Sequence, residues 1–282
     1  MSGHPLFSVI VPTYDRPDLL RDALASIRDQ TVDNFECLVV DDAGPEPVVL
    51  PDDPRFRVIR LTRNHGAPVP SNVGIEHAVG TYVTFLDDDD VYTSDRLRLA
   101  LEGLRRAPVA LCLRATMSGV PSGNRDLSGD VRDVILDGLT PHVGQVAVER
   151  ARIPTFDPRY MASADVDWWL RLAHAEPVAT VHEVGMRYRF HDGPRNRNGL
   201  RVRMQASLQL LDAHAEYFAT HPRAAGFRWK RIGLMALRLG EERLARAAFL
   251  RSLRARPQLS TSWHLVRSMR PASPRSAERY TS

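Results

Sequence analysis

Apolar positions along the first hundred residues fall into two alternating patterns. Short runs dense in β-branched and aromatic residues, Phe7–Thr13, Phe35–Asp41, Phe56–Leu61 and Tyr82–Leu86, read as buried strands. Between them, Pro17–Gln30 sets Leu19, Leu20, Ala23, Leu24 and Ile27 on one helical face, with Pro17 in the first turn. Asn72–Val79 reads as a short helix and Ser94–Arg106 as a longer one. This alternation predicts an α/β architecture, a parallel or mixed sheet with helices on both faces. Such sheets bind ligands outside the carboxyl ends of their strands. Tyr14-Asp15, Asp41-Asp42 and Asp87–Asp90 each follow a strand and are therefore expected on one rim.

The pattern then changes. Val109–Leu113, Val143–Val148 and Val178–Val184 are strand-like, a helix begins near Asp165, and Ser118–Asp130 has the composition of a loop. From Gly199 onward every pattern is helical. Within it, Gly233–Pro257 has the apolar spacing of one tetratricopeptide-like unit, with no neighbouring repeat to stack on. The expected organisation is an α/β domain over 1–198, a basic helical region over 199–270 and a disordered tail over 271–282.

Composition narrows the class. The chain has 282 residues, 43% hydrophobic and 26% charged, enough for a full core. No apolar stretch approaches the ~18 residues of a membrane span, and no basic-then-apolar leader opens the chain. Cys37 and Cys112 sit in strand-like runs, which predicts buried reduced thiols and a cytoplasmic setting. The formal charge of +4 is unevenly spread: from Gly199 there are 16 Lys and Arg against 5 Asp and Glu, a net of +11, so residues 1–198 carry −7. A solvated helical face accounts for such a tail, and so does peripheral contact with the inner face of an anionic membrane. No nucleic-acid-binding module is recognisable, so no nucleic acid partner is expected.

The four aspartates after Tyr82–Leu86 carry the strongest chemical signal. Two carboxylates ~4 Å apart repel by ~4 kcal/mol at an effective dielectric of ~20. A fold tolerates this when the groups are solvated, as in an acidic turn leading to a helix with Ser94 and Asp95 at its start, or when they share a cation. A hard divalent ion with oxygen ligands, bridging carboxylate and substrate phosphate, is the candidate.

Taken in order, the landmarks resemble the inverting family 2 glycosyltransferases with the GT-A fold, over roughly residues 6–192. Ser8-Val9-Ile10-Val11-Pro12-Thr13-Tyr14 resembles that family's first strand and nucleotide-binding loop, and Val39-Val40-Asp41-Asp42 its second strand and base-recognising acid. Asn64, Gly66, Asn72, Gly74, Ala78 and Gly80 fall at the spacing of its donor-side loop and helix. Phe85-Leu86-Asp87-Asp88-Asp89 stands in place of the metal-binding Asp-x-Asp motif. Ala164-Asp165-Val166-Asp167-Trp168-Trp169 is similar to the segment bearing the catalytic base, and Tyr188-Arg189-Phe190-His191 to a late segment where a histidine completes the metal site.

The resemblance implies transfer of a sugar from a UDP- or dTDP-sugar to a hydroxyl acceptor, be it a glycan, a lipid-linked sugar or a small molecule, with Mn²⁺ or Mg²⁺ as cofactor. It assigns Pro12, Thr13, Tyr14, Asp42, Asn64, Asp87 and Asp88 to the donor nucleotide, and Asp89, His191 and Asp87 to the metal. Asp165 becomes the base, with Asp167 as rival. Arg63, Arg189 and Arg195 are candidates for the diphosphate. Trp168 and Trp169 are adjacent and cannot share a helix face, so one is expected in the core and the other at the acceptor. A homodimer is compatible with all of this. Two positions depart from the family pattern: Ala164 stands where Glu is common, and Val69-Pro70-Ser71 precedes Asn72 where Arg is common. The alternatives are a nucleotide-sugar-binding protein with a degenerate site and a helical interaction tail, and a sugar nucleotidyltransferase. The second is disfavoured because Val11–Arg16 offers no glycine for a triphosphate loop.

Overall fold

The structure, a computed structural model, describes residues 4–66, 68–123, 127–128, 131, 140–160, 162–189 and 199–268. The chain divides into two compact units, one holding most of 1–195 and the other 196–282 with two short earlier pieces.

The first unit is a twisted mixed sheet of eight strands. They are β1 (Phe7–Thr13), β2 (Phe35–Asp41), β3 (Phe56–Arg60), β4 (Tyr82–Phe85), β5 (Val91–Tyr92), β6 (Val109–Thr116), β7 (Val146–Glu149) and β8 (Val178–Tyr188), in the order β3-β2-β1-β4-β7-β6-β8-β5. The block β3-β2-β1-β4 is parallel, with Thr13 beside Asp41 and Ile10 beside Phe85. β7 runs antiparallel to β4 and β6, and β6 is parallel to β8 across an irregular register near Cys112 and Leu113. All four strands of the parallel block therefore end on one edge.

Side-chain alternation decides which helix covers which face. Phe7, Val9 and Val11 point into a core completed by Leu20, Leu24 and Ile27 of α1 (Pro17–Arg28) and by Leu97, Ala100 and Leu104 of α3 (Arg96–Leu104). The opposite face of β1 meets α2 (Pro68–His77), where a Cβ on Gly74 would lie 2.3 Å from Ile10 Cγ2; only glycine admits that approach. Phe85, in register with Ile10, meets Trp168 of α4 (Ala164–Ala175) on the same face, ring centroids 6.0 Å apart. Helices thus cover both faces, as the alternation predicts. Cys37 and Cys112 are both buried and unpaired by a disulfide.

β5 is not among the expected strands, β8 runs on to Tyr188 past Val184, and two further elements open differently. α2 begins at Pro68, earlier than Asn72, because Pro68 and Pro70 occupy a first turn whose N–H groups have no helical partner anyway. The run Val143–Val148 opens as a 3₁₀ turn over Val143–Gln145 and only then becomes β7.

The second unit contains α5 (Leu200–Ala213), α6 (Ala215–Thr220), α7 (Pro222–Arg238), α8 (Glu242–Ala255) and α9 (Leu259–Ser268). A three-residue link turns α7 back on α8; Gly240 takes φ +73° there, and Glu241 N–H closes on Ala236 C=O at 2.9 Å. Ser252 Oγ donates to Gly226 C=O at 2.7 Å across this pair. Among the described residues, no helix is long and apolar enough to cross a membrane. The segment 271–282 lies outside the described residues, as does part of Ser118–Asp130.

Candidate active site

The parallel block delivers its strand ends to one rim, and the loops there are tied together by buried acids. Thr13 Oγ1 donates to Asp88 Oδ2 at 2.8 Å, and Arg16 Nη1 bridges Asp88 Oδ1 at 2.9 Å and Asp89 Oδ2 at 3.0 Å. The loop after β1 is thereby clamped to the acidic turn after β4. Asp42, only 3% exposed, accepts from His65 N–H at 2.9 Å and Gly66 N–H at 2.8 Å. That fixes the segment carrying Arg63 and Asn64, both exposed. Gly66 holds φ +83°, a left-handed conformation that glycine adopts without a Cβ penalty. Asp41 accepts from Gly44 N–H at 2.8 Å through Oδ1, while its Oδ2 lies 3.1 Å from Arg60 Nη1 but is not aligned for a hydrogen bond. Asp15 and Ala43 take φ of 54° and 60° in the loops after β1 and β2, a conformation costly for non-glycine residues and concentrated on this rim. A cavity of about 360 Å³ opens beside Thr13, Asp15, Arg16, Asp41 and Gly44 and runs along α1.

The acidic turn gathers a cluster that includes one residue the sequence did not signal. Ligand atoms of Asp87, Asp90 and His142 lie within 4.8 Å of one another. His142 Nε2 is 3.2 Å from Asp87 Oδ2 and 3.7 Å from Asp90 Oδ2. Its ring is aimed by a capping box: Gly144 N–H approaches Nδ1 at 3.3 Å, and His142 N–H donates to Gln145 Oε1 at 3.0 Å. Buried Gln145 donates in turn to Cys112 C=O at 2.9 Å. The only local sequence feature here is the His-x-x-Gln spacing, which by itself marks a turn and no site.

Beneath the cluster lies a fully buried cation. Arg96 reaches Val146 C=O at 2.9 Å, Thr84 Oγ1 at 3.1 Å and Gly144 C=O at 3.3 Å, and Tyr92 Oη donates to Phe85 C=O at 2.6 Å beside it. Burying a guanidinium is costly unless its donors are met, so this network pins the residues after His142 and the end of β4.

Electrostatics mark the turn as short of positive charge. Burial pushes Asp88 up to about 6 despite Arg16 beside it. Burial likewise pushes Asp90 up to about 7. For His142, burial opposes the charged form, but the Asp87 carboxylate prevails and raises the imidazole to about 9. In Asp87, burial works the other way, yet His142 holds the carboxylate below its usual range. Two carboxylates and an imidazole converging in a carboxylate-rich pocket fit a hard or borderline divalent ion.

The other singled-out residues are placed as follows. Tyr14 is half-buried beside Thr13, and Pro12 is half-buried at the end of β1. Arg189 donates from Nη2 to Asp22 Oδ2 at 2.9 Å and from Nε to Asp89 C=O at 3.3 Å, while its N–H meets Asp90 Oδ1 at 2.8 Å. It thus braces the acidic turn against α1. His191 and Arg195 lie outside the described residues. Asp165 is exposed in the first turn of α4, whereas Asp167 is 3% exposed and accepts from Arg171 Nη2 at 2.7 Å and Nε at 3.0 Å.

The tryptophan pair corrects the expectation that one ring faces an acceptor. Both are 0% exposed. Trp168 stacks on Phe156 at 5.2 Å and donates to Pro154 C=O, and Trp169 donates to Pro141 C=O at 2.9 Å. Residues adjacent on a helix do point apart, but here α4 has core on both sides. Asn72 completes the brace by accepting Phe156 N–H at 2.7 Å and donating to Phe156 C=O at 2.8 Å, which links α2, the 154–156 segment and α4.

Known proteins resemble this chain in sequence and in fold. The family model for glycosyl transferase family 2 matches residues 8–138. TuaG of Bacillus subtilis, provisionally named a teichuronic acid biosynthesis glycosyltransferase, is 38% identical over 104 residues, which are 35% of this chain and 41% of TuaG. The succinoglycan biosynthesis protein ExoW of Rhizobium meliloti is 36% identical over 121 residues, 40% of this chain and 38% of ExoW. The matches thus span about two fifths of these relatives' length. The crystal structure of S. aureus TarS 1-349 in complex with UDP-GlcNAc superposes with a TM-score of 0.67 at 18% identity, over 93% of this chain and 88% of that one. The mannosyltransferase PcManGT from Pyrobaculum calidifontis, in complex with GDP-Man and Mn²⁺, gives 0.54 at 19% identity over 94% and 80%. At such identities the structural likeness speaks for the fold. Residues 8–138, which carry the parallel block and the acidic turn, thus match the glycosyl transferase family 2 model, and the chain has the GT-A fold.

Proposed function

We propose that the protein transfers a glycosyl group from a UDP- or dTDP-sugar to an acceptor hydroxyl, with inversion at the anomeric carbon and with the help of Mn²⁺ or Mg²⁺. The observation that carries this reading is the rim of a GT-A sheet on which Asp42, Asp87–Asp90 and His142 stand together at strand ends. Asp87 is the first candidate metal ligand, with Asp90 and His142 beside it and Asp89 one turn residue away. Bound there, a divalent cation supplies charge neutralisation for the departing nucleoside diphosphate. Arg16, already shared between Asp88 and Asp89, holds the turn in shape for that charge.

Asp42 uses one lone pair of each oxygen on the His65 and Gly66 amides, and a carboxylate has about four such sites. It can therefore still accept the N3–H of a uracil or thymine ring, with Tyr14 as the candidate to stack on that ring. Inversion needs a base on the face opposite the leaving group, within hydrogen-bond reach of the acceptor hydroxyl. Exposed Asp165, in the first turn of α4, is that base. A likeness to enzymes holding UDP-GlcNAc and GDP-Man supports a nucleotide-sugar donor without selecting the base or the sugar.

A thermal-shift screen of nucleoside diphosphate sugars with Mn²⁺, followed by donor turnover with the hits, tests the proposal. A donor at ~100 times its Kd stabilises the fold by ~2.7 kcal/mol. Stabilisation by no nucleotide sugar, with or without metal, rejects the reading. Asp42→Ala is expected to weaken UDP or dTDP binding by ~1.5–3 kcal/mol, through the lost charge-assisted bond and the released 65–66 amides. Equal affinity of variant and parent by calorimetry removes Asp42 from the donor site.

A further inference from the structure

Helix α9 wears its apolar residues on the outside. Its buried positions include Thr261 and Ser268, at 0% and 2% exposure. Leu259, Trp263 and Val266 instead face solvent, at 91%, 56% and 55% exposure. Spaced i, i+4 and i+7, they form one stripe along the helix. A helix that only completes a soluble bundle shows the reverse arrangement.

Cations border the stripe. The Arg267 guanidinium sits 5.3 Å from the Trp263 ring centroid, and Lys230 Nζ donates to Ser260 Oγ at 2.9 Å. The charge extends along the sequence: from Arg243 to Ala277 there are eight arginines and no aspartate or glutamate. An exposed Trp flanked by aliphatic side chains and edged by long basic ones is the composition of an element lying in a membrane interface.

We propose that the Leu259–Trp263–Val266 face of α9 seats on the surface of an anionic lipid bilayer. The three side chains enter the boundary between headgroups and acyl chains, and Arg267 and Lys230 meet the lipid phosphates and acidic headgroups. A second copy on the same stripe would bring two arginine-rich surfaces together. A bilayer of acidic lipid offers opposite charge and an apolar interior at once. The inference is independent of the reaction proposed above.

The test uses the full chain and vesicles of phosphatidylcholine, with and without phosphatidylglycerol. The protein is expected to sediment with the phosphatidylglycerol vesicles at low salt, with at least about tenfold weaker binding at high salt, because the screening length falls from ~30 Å at 0.01 M to ~3 Å at 1 M. Brominated acyl chains are expected to quench tryptophan fluorescence in the parent and not in Trp263→Phe. The triple variant Leu259→Ser, Trp263→Ser, Val266→Ser is expected to lose binding at least about tenfold while its thermal midpoint is retained, which separates loss of the face from loss of the fold. Three results overturn the proposal: a parent that stays in the supernatant at low salt, a folded triple variant that binds like the parent, or a dimer in sedimentation equilibrium that the triple variant dissolves while vesicles capture neither protein.

Discussion

Asp87→Asn is expected to abolish metal-stimulated transfer and to raise the Kd for Mn²⁺ by at least ~10–100-fold, the range already seen when only an outer partner of a metal ligand is lost. Asp87 is common to the ligand set implied by the Asp-x-Asp position and to the one gathered in space with Asp90 and His142. Its carboxylate is held ionised by His142 against the effect of burial, so it is ready to bind a cation without first losing a proton. Asparagine keeps the size and one acceptor oxygen but removes the charge, so the fold should survive. Excess chelator should stop transfer by the parent in the same way. Titrating Mn²⁺ into the parent and the variant by calorimetry, beside a donor-turnover assay, gives both readouts. Undiminished turnover in chelator, or equal metal affinity in the variant, ends the metal role. The companions Asp89→Asn and His142→Ala then divide the two sets. Asp89 shares Arg16 with Asp88, so its loss leaves that guanidinium to Asp88 alone, whereas losing His142 removes the imidazole that faces Asp87 and Asp90.

The strands were legible because a parallel block buried on both faces writes its strands as unbroken apolar runs. Phe7–Thr13 and Phe35–Asp41 have the bounds read from sequence for that reason, and the acids follow at their ends. What the sequence hid was contact across long separations. Nothing local to His142 says that a capping turn will aim it at Asp87, 55 positions earlier. Arg96 looks like any basic residue opening a helix, and its burial under Gly144 and Val146 follows only from how β4 and β7 pair. The tryptophans misled for a related reason. Adjacency on α4 does send Trp168 and Trp169 to different sides, but the 154–156 segment, itself held by Asn72, closes over Trp168. Helical periodicity describes one element's faces, whereas exposure depends on everything that covers them.

The same contrast between pattern and packing separates the two candidate bases, and Asp165→Asn is expected to lower kcat by ~10²–10⁴, the usual cost of losing a positioned base. Sequence alone leaves Asp165 and Asp167 two residues apart on one segment. Packing gives them different work. Asp167 is buried and meets two donors of Arg171, which also reaches Thr155 C=O at 2.7 Å, so it ties α4 to the 154–156 segment. Asp165 is exposed in the first turn of α4, open to an acceptor hydroxyl whose proton it would take as the anomeric centre develops positive charge. Its contribution is then one of position, so asparagine should spare donor and metal affinity while slowing the chemical step. Asp167→Asn should do the reverse, with a loss of ~1–2 kcal/mol in unfolding free energy from the weakened Arg171 contacts and turnover within a few-fold of the parent. Single-turnover kinetics, calorimetric donor binding and denaturant midpoints on both variants read each effect separately. A slow Asp167→Asn beside a normal Asp165→Asn transfers the base to Asp167. If both variants turn over normally, α4 braces the site and supplies no base to it.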